Sequence, residues 1–580
     1  MTTSAPITVH RRNVDVASKH LARQLPEASL ELARRLAAST QGEVLFDAAS
    51  RARYATDASI YQIMPTGVFV PKSADDVAAA LDIARELKAP VLARGGGSSQ
   101  CGQTVGPSLV VDCSKHLRGV LDVNAEARTA EVEPGLVLDH LNARLKPLGL
   151  WFPVDVSTSA QATLGGMAGN NSCGSRSIRY GNMVHNVLGA KAWLADGRLL
   201  DFGPLANLGS DAATIAGFVR QLALTHAHEL DAHWPKVMRR VGGYNLDIFR
   251  PQSERPYTAD GSVNLAHLLV GSEGTLAFTR SLTLQLAPLP KAKVLGVVNF
   301  ASFHTAMDSA QHIVRLGPSA VELVDRTMVD LARLNPAFKA VMESALVDSS
   351  AATPEALLLV EFSGEDAGEL KRHLAGLVEL MGDLGLPGSV VEMSDAPRQS
   401  ALWEVRKAGL NIMMSLKGDG KPVSFIEDCA VPLEHLAAYT DALTEVFARH
   451  GTRGTWYAHA SVGTLHVRPI LDMRREGATK MRAIAEEAAV LVRRFKGAYS
   501  GEHGDGLCRG EWVAWQFGPR LNDALRAIKQ HFDPAGLFAP NRIVDTPRMD
   551  DTSLMRYPPG YSALPLQTAY DWSAWNVQAD

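Results

Sequence analysis

The chain has 580 residues, of which 46% are hydrophobic and 21% are charged, and its formal net charge is −4. This length exceeds that of one ordinary domain and predicts two or three domains. The charge balance excludes the basic surface of a nucleic-acid-binding protein, and no apolar run reaches the roughly 18 residues that a membrane span needs.

In chain order, the predicted elements form two α/β regions. Residues 1–40 are predicted to be a polar-faced helical extension. Residues 41–285 alternate short apolar β runs with helical stretches such as residues 74–87, and the Pro-Leu-Pro sequence at 288–290 closes that region. The strand–helix–strand–helix order of residues 294–380 predicts a sheet covered by helices on one face.

Two glycine-rich segments are the strongest signal for a ligand. Residues 94–102 (RGGGSSQCG) follow a predicted strand, and their three consecutive glycines let backbone N–H groups turn inward to cradle phosphate oxygens. Residues 163–174 (TLGGMAGNNSCG) would let a large ligand lie flat against bare backbone. One such segment is usually a turn, but two favour a bound nucleotide. The patterns of a P-loop and of a Rossmann site do not match.

Candidate metal ligands lie between residues 456 and 506. His459 and His466 flank a Val-Gly-Thr turn, and Glu502 and His503 follow in the segment 500–506. In an uninterrupted strand, residues seven apart lie on opposite faces, but a tight turn lets both imidazoles converge. Two imidazoles and one carboxylate form an open site suited to a divalent cation such as zinc or manganese, with room for a substrate oxygen.

The two glycine-rich segments, together with residues 177–182, 271–276 and 533–541, resemble the flavin domain of the vanillyl-alcohol oxidase/PCMH family of FAD enzymes. The resemblance implies an α+β fold, in which a two-subdomain PCMH-type FAD-binding domain is joined to a substrate-capping domain with an antiparallel sheet covered by helices. The residues that it implies for FAD binding are Arg94, Gly95, Gly96, Gly97, Ser98, Ser99, Gln100, Gly102, Gln103, Pro153, Thr163, Gly165, Gly166, Gly169, Asn170, Ser172, Gly174, Tyr180, Gly181, Glu273, Gly274 and Asn541.

The same resemblance divides the chain into five parts. These are an N-terminal helical extension (1–40), the FAD-binding PCMH-type domain (41–285), the substrate-capping domain (286–500), a C-terminal segment that returns to the flavin (501–545) and a tail (546–580). FAD should be bound non-covalently, because the first glycine-rich segment lacks the His to which other family members attach it. The five scattered cysteines indicate a cytoplasmic protein without an iron–sulfur module in this chain, and peripheral association with the inner membrane stays open.

The second half of the chain resembles one branch of that family, the FAD-linked D-2-hydroxy acid dehydrogenases, which include D-lactate and D-2-hydroxyglutarate dehydrogenases. His459 and His466 match the branch's H-x6-H metal pattern, and Glu502 matches its third metal ligand. His503 matches its catalytic base, and Arg406 matches the Arg that binds the substrate carboxylate. The implied reaction is oxidation of a D-2-hydroxy acid to the 2-oxo acid by hydride transfer to flavin N5, assisted by the metal and by His503.

The size of the substrate that the site can bind depends on whether a second basic side chain is available to bind a carboxylate. D-Lactate needs one carboxylate anchor, whereas a diacid such as D-2-hydroxyglutarate needs two. Residues 460–464 (ASVGT) depart from the commonest sequence of the branch, Leu-Gly-Asp-Gly-Asn. Residues 463–469 resemble those of the longer iron–sulfur relatives that act on D-2-hydroxyglutarate, and this resemblance favours a diacid as the substrate. Long basic side chains are mostly exposed, so surface positions are the default expectation for the candidates. Those candidates are Lys407, Lys417, Lys421 and Arg468.

The tail and the function each leave alternatives open. Residues 556–573 resemble the linker that leads into an iron–sulfur module in longer relatives, so the electron acceptor would be a separate iron–sulfur, quinone or electron-transfer protein. A truncated iron–sulfur protein, or an arm packed on its own body or on a second copy in a homodimer, fits as well. The other functions are a flavin-bearing electron-transfer or structural subunit without a substrate site, and a non-redox flavoenzyme such as an ether-lipid synthase.

Overall fold

The computed structural model describes residues 26–250, 256–348, 352–562 and 569–574. Residues 1–25 of the predicted N-terminal extension, and parts of the predicted tail, lie outside the described residues. The strands are β1 (Glu43–Leu45), β2 (Gly67–Val70), β3 (Val91–Arg94), β4 (Leu109–Asp112), β5 (Val120–Asn124), β6 (Thr129–Val132), β7 (Leu150–Trp151), β8 (Val187–Trp193), β9 (Leu199–Phe202), β10 (Phe278–Gln285), β11 (Ala287–Pro288), β12 (Ala292–Phe300), β13 (Ala320–Asp325), β14 (Ala356–Gly364), β15 (Val390–Met393), β16 (Lys421–Pro422), β17 (Gly454–His459) and β18 (Thr464–Leu471).

The α-helices surround four sheets built from these strands. They are α1 (Glu27–Ser39), α2 (Ala48–Arg53), α3 (Ala74–Glu86), α4 (Leu138–Leu145), α5 (Leu164–Asn170), α6 (Ser177–Tyr180), α7 (Met183–Asn186), α8 (Ser210–Thr225), α9 (Ala227–His233), α10 (Ala266–Leu269), α11 (Phe303–Ile313), α12 (Arg326–Leu334), α13 (Lys339–Glu343), α14 (Ala367–Asp383), α15 (Ala396–Lys407), α16 (Gly409–Met414), α17 (Leu436–Arg449), α18 (Gly477–Arg494) and α19 (Gly506–Phe532). Among the described residues, no helix combines the length and the apolar character that crossing a membrane requires.

The first sheet, in the order β1-β2-β4-β3, presents the first glycine-rich segment. Strands β2, β4 and β3 are parallel, and β1 is antiparallel at one edge. Helix α3 connects β2 to β3, and it begins at Ser73, whose hydroxyl accepts a hydrogen bond from the Asp76 N–H. Because β3 ends at Arg94, the glycines that follow leave the sheet at the carboxyl edge of its parallel strands.

The second sheet, in the order β5-β6-β10-β8-β9, is antiparallel and lies beside the second glycine-rich segment. This segment is not only an extended loop, since its first half forms the short helix α5. The helix begins at Thr163, whose Oγ1 accepts a hydrogen bond of 3.3 Å from the Gly166 N–H. Glycines leave part of the helix surface without side chains, so a ligand can approach its backbone closely.

The largest sheet, in the order β15-β12-β14-β13-β17-β18-β16, forms the cap. Helices α11, α14, α17 and α18 pack on one face. The prediction that helices cover only one face is wrong, because α12, α13, α15 and α16 pack on the other. The physical reason lies in β12, where Val294 and Val298 enter the first core and Leu295 and Val297 enter the second. A strand that is apolar on both faces must be buried on both faces.

After the cap, the chain returns to the flavin region through α19. This helix breaks at Gly518, whose φ of 79° is left-handed, and Pro519 follows it. Residues on both sides of the break, such as Phe517 and Leu525, pack into the core of the second sheet. Further on, the Ala539 N–H donates to the carbonyl oxygen of Val91 at 2.8 Å, so this part of the chain lies beside the strand that precedes the first glycine-rich segment.

Candidate active site

A cavity of about 670 Å³ lies between the two glycine-rich segments and the cap. Residues 95–100 and 172–176 line it from the flavin side, and residues of α15, β17 and β18 line it from the cap. A smaller cavity of about 90 Å³ adjoins it and shares Gly95, Gly166 and Asn170 with it. Because they share walls, the two cavities form one cleft along both glycine-rich segments.

The two glycine-rich segments touch each other at the base of this cleft. A Cβ atom at Gly95 would lie 2.0 Å from Thr163 Oγ1, and a Cβ atom at Gly96 would lie 2.3 Å from the carbonyl oxygen of Gln161. Both positions therefore require glycine, and Gly97 also has a left-handed φ of 65°. The result is a narrow cradle of bare backbone, which fits a large planar cofactor with a pyrophosphate that needs N–H donors.

Most of the residues predicted to bind FAD line this cleft. Those on the larger cavity are Gly95, Gly96, Gly97, Ser98, Ser99, Gln100, Thr163, Gly166, Asn170, Ser172 and Gly174. Those on the smaller cavity alone are Arg94, Gln103, Gly165, Gly169, Glu273 and Gly274. The remaining predicted residues, all in the described part of the chain, are outside the lining of both cavities: Gly102, Pro153, Tyr180, Gly181 and Asn541. For these, contact with FAD stays a prediction.

Two of the predicted FAD residues support the cradle through bonds within the protein. The Arg94 guanidinium donates to the carbonyl oxygens of Tyr54, Thr56 and Thr104. The Glu273 carboxylate accepts from the backbone N–H groups at the start of α19 and from Gln103 Nε2. Glu273 thus caps α19 and ties the flavin side to the segment that carries residues 502 and 503.

Three imidazoles converge on one carboxylate oxygen at the cap end of the larger cavity. The Nε2 atoms of His459, His466 and His503 lie 3.2, 2.9 and 3.6 Å from Glu502 Oε1. Strands β17 and β18 pair with His466 opposite Tyr457. Tyr457 is two residues from His459, and residues two apart on a strand share a face, so both histidines lie on the same face of the hairpin.

Buried partners orient each side chain of this cluster. His459 Nδ1 lies 2.7 Å from Glu322 Oε1, and this contact directs Nε2 toward Glu502. Arg239 Nη1 donates to Glu502 Oε2 at 2.8 Å. The Asp428 carboxylate accepts the backbone N–H groups of residues 501, 502 and 503, and so fixes the segment that carries Glu502.

The electrostatic surroundings set the protonation states of the cluster. Burial alone would raise the pKa of Glu502, but Arg239 and His459 outweigh burial and hold that pKa well below its usual range. Burial lowers the pKa of His466 well below its usual value, so this ring is neutral. At Glu322, His459 and Arg406 outweigh burial and lower the pKa of the carboxyl. The site therefore offers an ionised carboxylate at Glu502 and a neutral imidazole at His466, the states that metal ligands need. At His459, burial and Arg239 lower the pKa of the imidazole, but Glu322 and Glu502 outweigh them and raise it, so a bound cation would displace the proton of that ring.

His459, His466 and Glu502 fit a divalent cation. Donor atoms around a tetrahedral cation at about 2.1 Å lie about 3.4 Å apart, and the Nε2–Oε1 distances of 3.2 and 2.9 Å are close to that spacing. His459 also has the carboxylate partner that metal-bound histidines usually have. Asp428, His466, Glu502 and His503 also form a group whose ligand atoms lie within 4.8 Å of one another. The Asp428 oxygens already accept from three backbone N–H groups and from Arg509, so we assign Asp428 to supporting the site.

Arg406 and His503 line the same cavity, and each has a side-chain nitrogen that could interact with a ligand. Arg406 Nη2 donates to Glu322 Oε2 at 2.5 Å, and its buried Nε has no hydrogen-bond partner. His503 Nδ1 lies 3.2 Å from Glu427 Oε1. Because an ionised carboxylate only accepts hydrogen bonds, we place the imidazole proton on Nδ1, which leaves the Nε2 lone pair free to accept a proton.

The four basic residues that are candidates for binding a second substrate carboxylate lie in different surroundings. Lys407 is exposed and lines the larger cavity, whereas Lys417 and Lys421 are outside its lining. Arg468 is fully buried, so the surface position expected from the sequence is wrong for this residue. Its guanidinium can be buried because three polar side chains accept its hydrogen bonds.

The sequence analysis missed Glu322 and Arg239, which hold His459 and Glu502 in place. Glu322 lies in β13, whose residues are all buried. A charged residue inside an apolar strand was a usable signal, because a buried carboxylate needs a partner. The Arg239 side chain is also fully buried, but its neighbourhood in the sequence has no pattern that could have singled it out.

Comparison with known proteins identifies the family. The FAD binding domain model matches residues 65–203, and the model of the C-terminal domain of FAD linked oxidases matches residues 289–543. The chain belongs to the FAD-linked oxidase family. The family predicted from the sequence and FAD as the cofactor are therefore confirmed. The C-terminal match contains Arg406, His459, His466, Glu502 and His503.

The relatives of this chain include two kinds of D-2-hydroxy acid dehydrogenase. A D-2-hydroxyglutarate dehydrogenase of Pantoea ananatis is 34% identical over 535 residues, which cover 89% of this chain and 51% of the relative. A D-lactate dehydrogenase of Archaeoglobus fulgidus is 26% identical over 479 residues, which cover 82% of this chain and 91% of the relative. The chain thus spans about half the length of the hydroxyglutarate relative.

A solved structure confirms the fold class. Substrate-bound p-cresol methylhydroxylase superimposes with a TM-score of 0.65 at 14% identity, over 90% of this chain and 98% of that chain. At this identity the likeness shows the fold alone. It confirms the predicted α+β architecture with a PCMH-type FAD-binding domain and a separate cap.

Proposed function

We propose that this chain oxidises a D-2-hydroxy acid to the 2-oxo acid, with FAD as the electron acceptor and with assistance from a divalent cation and His503. The observation that carries the proposal is the convergence of three imidazole Nε2 atoms on Glu502 Oε1 in the cavity that Arg406 and both glycine-rich segments line. A flavin protein without a substrate site would have no need for a buried set of charged side chains beside the cofactor cleft, because such a set is costly to bury.

Arg406 binds the substrate carboxylate in this proposal. Its Nη2 is held by Glu322, and the Nε without a partner remains available as a donor. Two parallel N–H donors can hold a carboxylate in one orientation, and this fixes which hydrogen of the substrate Cα faces the flavin. Glu322 bonds to both His459 and Arg406, so it sets the spacing between the metal ligands and the carboxylate anchor.

His503 accepts the hydroxyl proton at Nε2, because Nδ1 is engaged by Glu427. When the Cα–H bond breaks, its electron pair leaves with the hydrogen as hydride. In total, the substrate loses one proton and one hydride. FAD, when bound, supplies the hydride acceptor. A divalent cation held by His459, His466 and Glu502 would supply a Lewis acid that lowers the pKa of the substrate hydroxyl.

We infer a diacid of the D-2-hydroxyglutarate class as the preferred substrate. The stronger similarity to a D-2-hydroxyglutarate dehydrogenase than to a D-lactate dehydrogenase supports this choice. Lys407 and Lys293 line the same cavity as Arg406. Burial lowers the pKa of Lys293, although Glu361 partly opposes this effect. Electrons would leave the reduced FAD for a separate acceptor protein or quinone.

Anaerobic reduction of the flavin tests this function. FAD- and metal-loaded protein is mixed with D-2-hydroxyglutarate, D-lactate, D-malate and their L forms, while the oxidised flavin band near about 450 nm is followed. We expect one or more D acids to bleach the band and the L acids to leave it unchanged. Treatment with a chelator should abolish bleaching, and only an added divalent metal should restore it.

The same experiment separates the alternatives. A protein whose flavin is bleached by dithionite but by no 2-hydroxy acid would contradict the proposal and favour an electron-transfer subunit or a non-redox flavoenzyme. Bleaching that survives complete metal removal would retain the dehydrogenase function and refute the role of the cation.

A further inference from the structure

Arg468 carries a buried positive charge that no carboxylate neutralises directly. Its side chain is fully buried. Nε donates to Ser424 Oγ at 2.8 Å, Nη1 to the Tyr457 hydroxyl at 2.5 Å and Nη2 to Gln100 Oε1 at 2.7 Å. All three acceptors are neutral, although a buried charge is usually paired with an opposite one.

The Glu427 carboxylate, which interacts electrostatically with Arg468, is already paired with another guanidinium. Its Oε1 accepts from Arg509 Nη2 at 3.0 Å and also faces His503 Nδ1. Within the described ranges of the chain, no carboxylate oxygen forms an ion pair with Arg468. The local field at Arg468 therefore keeps a positive component, which a low-dielectric interior screens weakly.

The partners of Arg468 face the cofactor cleft. Gln100 belongs to the first glycine-rich segment, and both Gln100 and Tyr457 line the larger cavity. Gln100 Oε1 accepts from Arg468 and, at 3.0 Å, from Ser424 Oγ. Because both acceptor positions of this oxygen are in use, the side-chain amide cannot flip, and its NH₂ group remains the end that can donate to a ligand.

We propose that Arg468 is a positioning residue of the flavin site, which fixes the Gln100 amide as a donor and raises the reduction potential of bound FAD through its buried charge. Two-electron reduction of FAD with uptake of one proton adds a negative charge to the flavin. A nearby cation without a counter-ion stabilises that reduced form relative to the oxidised one. The inference rests on FAD binding and not on the identity of the hydroxy acid.

The geometry argues against a direct contact between Arg468 and a substrate carboxylate. Each guanidinium nitrogen already has a hydrogen-bond partner, and Arg468 is not among the residues that line the cavity. The Tyr457 ring lies 4.9 Å from the Arg468 guanidinium and 4.7 Å from that of Arg406, so it stands between Arg468 and the proposed carboxylate anchor.

The test is the midpoint potential of the bound flavin, measured by spectroelectrochemistry on the FAD-loaded full chain without substrate. For Arg468→Gln we expect at least a tenfold fall in the ratio of reduced to oxidised FAD at a fixed potential, about 30 mV for a two-electron couple. Arg468→Lys keeps the charge and should keep most of the potential. Arg372→Gln removes an exposed charge on α14 and serves as the matched control, with no expected shift.

A second pair of variants covers the case in which Arg468→Gln does not retain FAD. Gln100→Glu places a carboxylate against Arg468 Nη2 at unchanged size, so it should lower the potential in the same direction. Tyr457→Phe removes one acceptor but leaves the charge, and its potential should stay near that of the unaltered protein.

Two outcomes would overturn the inference. An unchanged potential in both Arg468→Gln and Gln100→Glu would show that the charge does not act on the flavin. If Arg468→Gln raised KM for the diacid alone, with KM for D-lactate and the potential unchanged, Arg468 would instead be the second carboxylate anchor. Failure of every 2-hydroxy acid to reduce the flavin would refute the proposed function but leave this measurement valid.

Discussion

The flavin cradle and the histidine cluster are built by opposite means, although they face the same cavity. At the cradle, glycines bring two segments of backbone so close that a Cβ atom at Gly95 or Gly96 would collide with the facing segment. At the cluster, buried side chains orient one another in pairs: Arg239 contacts Glu502, and Glu322 contacts His459 and Arg406. The first site depends on the absence of side chains and the second on their pairing.

Because of this difference, the two sites are sensitive to different kinds of substitution. A backbone cradle tolerates changes of charge nearby but not the addition of one methyl group, because its walls are already in contact. A network of buried charges tolerates small changes of volume but not the loss of one partner, because the remaining charge is then buried without compensation.

Loss of His503 should have the largest effect on the reaction and almost none on the cofactor. For His503→Ala we expect the rate of flavin reduction by the D acid to fall about 10²–10⁴-fold, as is usual when a proton acceptor is removed. FAD content and metal content should stay unchanged, since His503 is not one of the three proposed ligands. Stopped-flow absorbance and elemental analysis check this, with the exposed His304→Ala as the control. Loss of the metal would assign His503 to the ligand set.

The stability of the flavin side should fall in mild acid because of a buried neutral histidine. Burial lowers the pKa of His267 from 6.5 to about 4, although its Nε2 lies 3.0 Å from the Val187 carbonyl oxygen. The unfolded chain binds the proton first as pH falls, so stability is fully present above about pH 6.5 and is lost progressively toward pH 4, by about 3 kcal/mol at most.

Urea unfolding of the original protein and of His267→Gln at pH 7 and pH 4.5 measures this contribution. The original protein should lose more stability between the two pH values than the variant, which keeps a hydrogen-bond donor but cannot be protonated in this range. Equal losses in both proteins would contradict the role of His267.

A single methyl group in the cradle should destabilise the flavin side and reduce FAD retention. Gly96→Ala would place its Cβ 2.3 Å from the Gln161 carbonyl oxygen, and we expect a loss of about 1–3 kcal/mol, as in overpacked interiors. Gly376→Ala on α14 has no atom within 4 Å of the added Cβ, so it should be neutral or stabilise by up to about 1 kcal/mol. Thermal unfolding and the ratio of flavin to protein absorbance distinguish the two. Equal behaviour of both variants would refute the close contact.

Removal of the Glu322 charge should weaken metal binding without touching the flavin. Glu322→Gln keeps the shape of the side chain but weakens its support of His459 and Arg406, and we expect metal affinity to fall about 10–100-fold. Metal titration with a competing chelator measures this, and the exposed Glu369→Gln is the control. An unchanged affinity would show that His459 does not need Glu322 to bind the cation.

The sequence predicted the fold class and the family because these depend on local patterns. A strand followed by three glycines must present bare backbone wherever it lies, and the strand–helix–strand–helix order of the cap predicts a sheet with helices. The prediction of helices on one face only was wrong, because it rested on element order, whereas the residues of β12 are apolar on both faces. The burial of Arg468 was also missed, since composition assigns long basic side chains to the surface.

The site shows the same division between local and long-range information. The sequence named Arg406, His459, His466, Glu502 and His503, and the structure brings these side chains to one cavity, while their roles stay predictions. Glu322 and Arg239 were out of reach, because their partners lie 137 and 263 residues away along the chain. By itself, the sequence determined the glycines, the hairpin turn and the types of ligand. Only the tertiary structure decided which charges are buried together, because that choice depends on contacts between segments that share no local pattern.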